Sequence, residues 1–411
     1  MRTVEKTLTI ILAGGAGLRL HPLTAERAKP AVPFGGIYRI IDFTLSNCLH
    51  SGLRRVLVLT QYKSHSLQKH LRDGWSIFNP EIGEYITTVP AQMRTGEEWY
   101  AGTADAIYQN RYLLARSGAN HVLVLAGDHI YRMDYAAMLE DHVRRKCDVT
   151  LACVPVPLAD ARPFGVTEVD DDFRVRKFTE KPENPLSIPG DPHHALVSMG
   201  IYVFNLSFLL ELLDQDHHDK TSQHDFGRNI LPNIVGTHTI GAYRFGDVKG
   251  RVTQDGYWRD VVTLDAYYET NMDLLKPVPP MDLYQKDWLI RTYHGQYPPA
   301  RMVPSTSGED GSVTNSLLGG GDVIIGARII HSILSPDVWA QSGAIVEDSI
   351  LFERVRVGSG ARLRRCIIDK DVLVPSKEVI GWDLERDRRR FTVSEGGVVV
   401  VSKGYRFDPQ S

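Results

Sequence analysis

Apolar positions divide the chain into two stretches with different periods. Up to about residue 275, short continuous apolar runs alternate with mixed polar and apolar stretches. Thr7–Leu12, Val56–Thr60, Val122–Ala126, Val149–Val154 and Ile201–Phe204 have the unbroken character of strands covered on both faces. Between them, Ala104–Arg116 and Tyr135–Arg145 read as helices. This alternation predicts an α/β domain built on a mostly parallel sheet. Pro277, Pro279 and Pro280, followed by the segment from Ser305 to Gly311, mark a connection carrying one short helix from Met281 to Arg291.

The last third follows another rule. Gly326, Gly343 and Gly360 recur at a step of 17, as do Ile333, Ile350, Ile367 and Val338, Val355, Val372. That step is close to three hexapeptides. Small residues at corners with aliphatics pointing inward predict a parallel β-helix, which docks on another domain or subunit to cover its faces. Chance alternation in a β-sandwich is the competing reading, and the constant spacing argues against it. The expected organisation is an α/β domain over 1–275, a linker over 276–311 and a β-helix over 312–411.

Composition narrows the picture modestly. The 411 residues carry a formal net charge of −3, which gives nucleic-acid binding no support. Cys48, Cys147, Cys153 and Cys366 are scattered without a Cys-x-x-Cys pair and read as buried small side chains. No apolar run approaches the ~18 residues of a membrane span, and the expected location is the cytoplasm.

Candidate chemistry begins at the first strand. Thr7–Leu12 runs into Gly14, Gly15 and Gly17, followed by Arg19 and then by Lys29. Glycines there free backbone amides for an anion, and the two cations suit a polyphosphate. Taken alone, the glycines are equally a strand-to-helix turn. The loop is neither a Walker A motif nor a dinucleotide fingerprint. Asp128 follows the Val122–Ala126 run, where open α/β sheets bind ligands, and suits a hard Mg²⁺. Asp260 is the candidate second ligand, with a turn residue as the alternative. Lys181 suits a phosphate, and Glu180 beside it sugar hydroxyls, although a Glu-Lys pair before proline is otherwise an exposed turn. Trp99-Tyr100-Ala101-Gly102-Thr103 sets aromatics beside a helix start, suited to a base or sugar with a phosphate at the helix N-terminus, or else to a simple Thr103 cap. The run Arg386–Arg390 is a solvated face or an anion site.

With these motifs in hand, the chain resembles bacterial glucose-1-phosphate adenylyltransferases over essentially its full length. The resemblance rests on Ile11–Gly15, Arg27-Ala28-Lys29-Pro30, Gly35–Phe43, Thr60–His65, Trp99–Asp105, Leu125–Tyr131, Phe178–Pro182, Ser198–Phe204 and Tyr257–Val261. It implies a Rossmann-like nucleotidyltransferase domain with a C-terminal left-handed β-helix, assembled as a homotetramer. It implies transfer of AMP from ATP to glucose 1-phosphate with release of pyrophosphate, the committed step of bacterial glycogen synthesis. By position, Tyr100, Gly165, Glu180, Lys181 and Ser198 resemble the family's glucose-1-phosphate contacts, and Gln92 an adenine contact. Asp128 and Asp260 resemble its Mg²⁺ ligands, and Gly14, Gly15, Gly17, Arg19 and Lys29 its triphosphate site.

The family is allosteric, with small-molecule effectors bound between the domains. Arg27, Arg39, Arg389 and Arg390 are the candidate anion contacts, with Gln61 and Trp99 on relaying loops. Two positions depart from the pattern. Glu26 stands where one subgroup has a lysine that binds fructose 1,6-bisphosphate, and Ala16 stands where many relatives have an arginine. Other readings are a non-catalytic regulatory subunit, against which Asp128, Arg19, Lys29 and Lys181 argue, a pyrophosphorylase for another sugar or base, and a β-helix acyltransferase. The last would need a coil histidine such as His331.

Overall fold

In a computed structural model the described residues are 2–92, 99–247, 252, 256–305, 308 and 310–408. The first part is organised by one sheet. Its strands run in the order Val175–Glu180, Gly165–Val169, His194–Asn205, His121–Ala126, Thr7–Ala13, Arg55–Thr60, Tyr85–Pro90. Val149–Pro157 and Ile240–Arg244 extend the sheet from His194–Asn205. The four strands from His121–Ala126 to Tyr85–Pro90 are parallel, as the unbroken apolar runs predict. The sheet is mixed beyond them, because the long strand His194–Asn205 runs antiparallel to three neighbours. Apolar side chains on the two faces feed separate cores. Ile11, Val58 and Leu123 belong to one, Leu8, Ile10 and Val124 to the other.

Register fixes the working edge. Leu12 pairs with both Leu59 and Ala126, so the chain leaves three adjacent strands at one level. The glycine loop, Gln61 and Gly127-Asp128 emerge side by side there. Gly127 donates its N–H to Leu12 O at 3.1 Å, and a Cβ on it would lie 3.0 Å from Ile11 Cγ2. Below this edge, Asp42 is fully buried and accepts from Arg39 N, His70 Nε2 and Trp75 Nε1 at 2.6–2.8 Å. The Arg-Ile-Ile-Asp-Phe block therefore knots the helix Ile40–His50 to the helix His65–Trp75.

The C-terminal stretch forms three sheets wound as a solenoid, parallel throughout except for Thr392–Val393, which runs antiparallel to Val399–Val401. Ile333, Ile350 and Ile367 stand in register on successive coils, which is the 17-residue step of the sequence. Their direction differs from the expectation. This isoleucine row packs outward, with Phe34, Phe43, Tyr267 and Leu274 of the first part. Leu334, Leu351 and Ile368, one residue on, fill the solenoid together with Val338, Val355 and Val372. A strand's side chains alternate between faces, so one register position serves the inner core and its neighbour the docking face. Two further expectations need adjustment. The 281–291 helix is only a 3₁₀ turn at Lys286–Trp288, and the Trp288 side chain anchors it by donating from Nε1 to Asn47 Oδ1 at 2.9 Å. The strand Arg301–Val303, inside the expected linker, already pairs with the solenoid strand Val323–Ile325. All four cysteines are buried and unpaired. No helix among the described residues is long and apolar enough to cross a membrane.

Candidate active site

Two carboxylates meet at the sheet edge through a short ladder. After Asp128 the chain forms His129–Tyr131, which pairs antiparallel with Trp258–Asp260 and sets Asp260 opposite His129. Lys29 Nζ lies between the acids, 2.7 Å from Asp128 Oδ2 and 3.1 Å from Asp260 Oδ1. His129 Nε2 faces the same pair at 3.6 and 3.7 Å, its ring held edge-on against Trp258. Burial alone would raise the Asp128 carboxyl, but Lys29 and His129 beside it bring its pKa down to about 2. Burial disfavours the Lys29 ammonium, and the two carboxylates outweigh that and raise its pKa. One ligand atom from each of Asp128, His129 and Asp260 falls within 4.8 Å of the others, so these residues could share a metal ion. Two hard oxygens and an imidazole form a donor set that suits a divalent cation.

The glycine loop overhangs this cluster. Gly17 has φ 61°, and a Cβ there would sit 3.0 Å from Thr24 Cγ2 and 3.1 Å from Lys29 Cβ. Gly14 abuts Gln61, whereas Gly15 is exposed with open space where a side chain would be. Arg19 is exposed and has no polar partner among the described residues. Gln92 is exposed just beyond the end of the strand Tyr85–Pro90.

Gly165, Glu180 and Ser198 lie on strands at the other end of the strand order. Gly165 and Glu180 pair across an antiparallel ladder. A Cβ on Gly165 would lie 2.3 Å from the Phe178 ring and 2.9 Å from Glu180 Oε2. A Cβ on Gly227 would lie 2.6 Å from the same oxygen. Both glycines make room for Glu180. The sequence reading missed Gly227, whose proximity depends on the tertiary fold. Lys181 adopts φ 48°, with its half-exposed ammonium 3.3 Å from Glu180 Oε1. Ser198 is buried at an irregularity in the long strand, and its Oγ accepts from Gly200 N at 3.3 Å. A Cβ on Gly200 would come within 3.6 Å of His129 Cε1, so this bulge abuts the carboxylate cluster. Tyr100 OH accepts from Asn110 Nδ2 at 2.9 Å.

The helix start at Thr103 corrects the sequence reading. Ala104 N donates to His224 O at 2.8 Å, and that oxygen lies 2.2 Å from where a Gly102 Cβ would be. A carbonyl therefore occupies the helix N-terminus where a phosphate was expected. Thr103 does not cap the helix either; its Oγ1 donates to Asp225 Oδ2. Trp99 stacks on Tyr62 with centroids 5.6 Å apart.

The four arginines separate into two groups. Arg27 is buried and pairs with Asp369 of the solenoid at 2.9 Å, while Arg39 donates to Ala31 O. Beside them Lys370 pairs with Glu353 at 2.7 Å, and burial followed by the Arg39 charge lowers its pKa to about 8. The sequence reading did not single out these solenoid residues. Arg390 is held by both oxygens of Glu378, and Arg389 is exposed next to it. No hydrogen bond or ion pair among the described residues joins that pair to Arg27 or Arg39. Glu26 forms an exposed pair with Lys403 at 2.6 Å.

Comparison with known proteins places the chain among named relatives. Residues 8–277 match the family model described as nucleotidyl transferase, and 298–401 match one described as GlmU-like, C-terminal hexapeptide. The chain is 57% identical over 407 residues to glucose-1-phosphate adenylyltransferase 2 of Vibrio cholerae, covering 99% of this chain and 100% of that one. It is 58% identical over 404 residues to the protein of the same name from Vibrio vulnificus, covering 98% and 100%. It is 48% identical over 402 residues to glucose-1-phosphate adenylyltransferase of Yersinia pseudotuberculosis, covering 97% and 94%.

Proposed function

Because the chain belongs to the glucose-1-phosphate adenylyltransferase family of nucleotidyl transferases, we propose that the strand-edge site joins ATP to glucose 1-phosphate, giving ADP-glucose and pyrophosphate. This is the glucose-activating step of glycogen synthesis. The observation that carries the reading is the cluster of Asp128, Asp260, His129 and Lys29 directly beneath the glycine loop.

The chemistry asks little of a general base. The sugar phosphate has a second pKa of ~6 and is largely dianionic at neutral pH, so an oxygen can attack the α-phosphorus of ATP unaided. Positioning and charge neutralisation then carry the rate. Amides around Gly14, Gly15 and Gly17 receive the triphosphate, Arg19 and Lys29 offset the charge of the departing pyrophosphate, and Gln92 contacts adenine. Lys181 holds the sugar phosphate, while Tyr100, Gly165, Glu180 and Ser198 surround the sugar. Asp128 and Asp260 would hold Mg²⁺, which when bound neutralises phosphate oxygens.

Residues 1–275 are read as the catalytic unit and the segment after them as the connection, with the β-helix of a cytoplasmic homotetramer beginning at the strand Arg301–Val303 rather than at 312. Regulation by anionic effectors is assigned to the seam between the two parts, at Arg27 and Arg39, with Arg389 and Arg390 as a separate candidate. Glu26 and its pair with Lys403 argue against fructose 1,6-bisphosphate as the activator. The test is pyrophosphate release across a panel of nucleoside triphosphates and sugar 1-phosphates, each with and without effectors. ATP with glucose 1-phosphate is expected to be the preferred pair, and preference for another base or sugar would overturn the assignment.

A further inference from the structure

Lys29 stands in an unusual position for a residue whose assigned partner is a triphosphate. Its ammonium touches one oxygen of each acidic residue, and only about a tenth of its side chain is exposed. Asp260 Oδ1 is the shared atom: it accepts from Lys29 at 3.1 Å and is also the oxygen that faces His129. A divalent ion bonded to that oxygen at ~2.1 Å would stand within a few ångströms of the ammonium. Two cations that close repel strongly in a partly buried site. A single ammonium also leaves two carboxylates undercompensated, whereas a divalent ion balances them. The Lys29 stem runs directly under the glycine loop, since a Cβ on Gly17 would lie 3.1 Å from Lys29 Cβ. An ammonium that leaves the carboxylates therefore has the loop's anion as its next partner.

We propose that Lys29 and the divalent ion are alternative occupants of the Asp128–Asp260 pair. Lys29 holds the two carboxylates in the substrate-free enzyme and gives them up when a triphosphate on the glycine loop offers it other oxygens. The inference rests on the reading of Asp128 and Asp260 as metal ligands. It makes Lys29 a gate that keeps the metal weakly held until nucleotide arrives, in addition to a charge on the pyrophosphate.

The test measures Mn²⁺ binding to the free enzyme, without nucleotide, by electron paramagnetic resonance of the unbound ion. Lys29→Met is expected to bind Mn²⁺ about tenfold or more tightly than wild type, corresponding to ~1.4 kcal/mol. Lys29→Gln keeps a donor between the carboxylates, is expected to tighten binding in the same direction, and serves if Lys29→Met fails to fold. Arg19→Met removes a nearby charge that does not touch the pair and is expected to change affinity by less than about threefold. Unchanged or weaker binding in both Lys29 variants overturns the exchange, as does an equal gain in Arg19→Met. Asp128→Asn distinguishes loss of the metal site from loss of the exchange. If it leaves Mn²⁺ affinity unchanged in wild type and in the Lys29 variant, the metal-ligand reading fails. If it weakens binding while the Lys29 variants show no gain, only the exchange fails.

Discussion

Arg27 crosses from the segment that carries Lys29 to the solenoid, where its Nη2 lies 2.9 Å from Asp369 Oδ1 with both side chains buried. The pairing is incomplete, because Arg27 Nη1 and Asp369 Oδ2 have no hydrogen-bond partner among the described residues. Burial raises the Asp369 carboxyl against the pull of Arg27. Removing one member strands the other as a buried charge, so Arg27→Ala is expected to cost about 3–5 kcal/mol of unfolding free energy. The double change Arg27→Met, Asp369→Leu is expected to recover most of that loss. Urea unfolding of the three proteins decides it, and a single-mutant loss below about 1 kcal/mol would reduce the pair to the rank of a surface contact.

Gly165 admits the Phe178 ring and Glu180, and any side chain there meets both. Gly165→Ala is expected to destabilise by about 1–3 kcal/mol and to push Glu180 from its place. Steady-state kinetics are expected to register this as a raised KM for glucose 1-phosphate with the KM for ATP little changed. A selective rise for ATP would put Gly165 on the wrong side of the site.

Lys181→Gln keeps the side-chain length close to native and removes the charge, while its unusual φ of 48° is imposed equally on both residues. The expected result is a KM for glucose 1-phosphate raised about tenfold or more, with kcat and the ATP requirement shifted far less. An effect confined to ATP would reassign Lys181.

His142 tests the electrostatics of the core away from the site. It lies buried between Thr150 Oγ1 and Asn205 Oδ1, and burial lowers its pKa to about 4 despite the Asn205 hydrogen bond. The unfolded chain binds a proton near the usual ~6.5, so between about pH 6.5 and 4 it takes up more protons than the native state. The contribution is fully present above pH ~6.5 and is lost as pH falls through the folded pKa, on the order of 2–3 kcal/mol by pH 4. His142→Gln is expected to flatten this part of the stability–pH curve. Parallel curves for wild type and variant would remove His142 from the account.

Much of this was legible in the sequence, and the exceptions have physical causes. The α/β sheet and the parallel β-helix could be read because apolar runs and a 17-residue step are local signals, whereas the left hand of the β-helix came only from the family resemblance. The solenoid corners carry a second signal that went unread. His331, Asp348 and Arg365 keep the same step with φ of 46–47°, a conformation that only the backbone reveals. Which side of a coil an isoleucine faces depends on its docking partner, so the row Ile333, Ile350, Ile367 was assigned inward although it faces Phe34 and Tyr267. Asp128 could be read from its strand. Asp260 depends on pairing with His129 across a ladder, and the position of Lys29 between the acids depends on both. Gly102 looked like a phosphate site because His224, whose carbonyl fills the space, is remote in sequence.

The proposed role of the carboxylate pair beneath the glycine loop in adenylyl transfer is open to one decisive measurement. Its most direct test is the turnover of Asp128→Asn with ATP and glucose 1-phosphate, alongside its circular dichroism and thermal unfolding. Turnover is expected to fall by about two or more orders of magnitude with the fold retained. A folded Asp128→Asn protein working at close to the wild-type rate would contradict it.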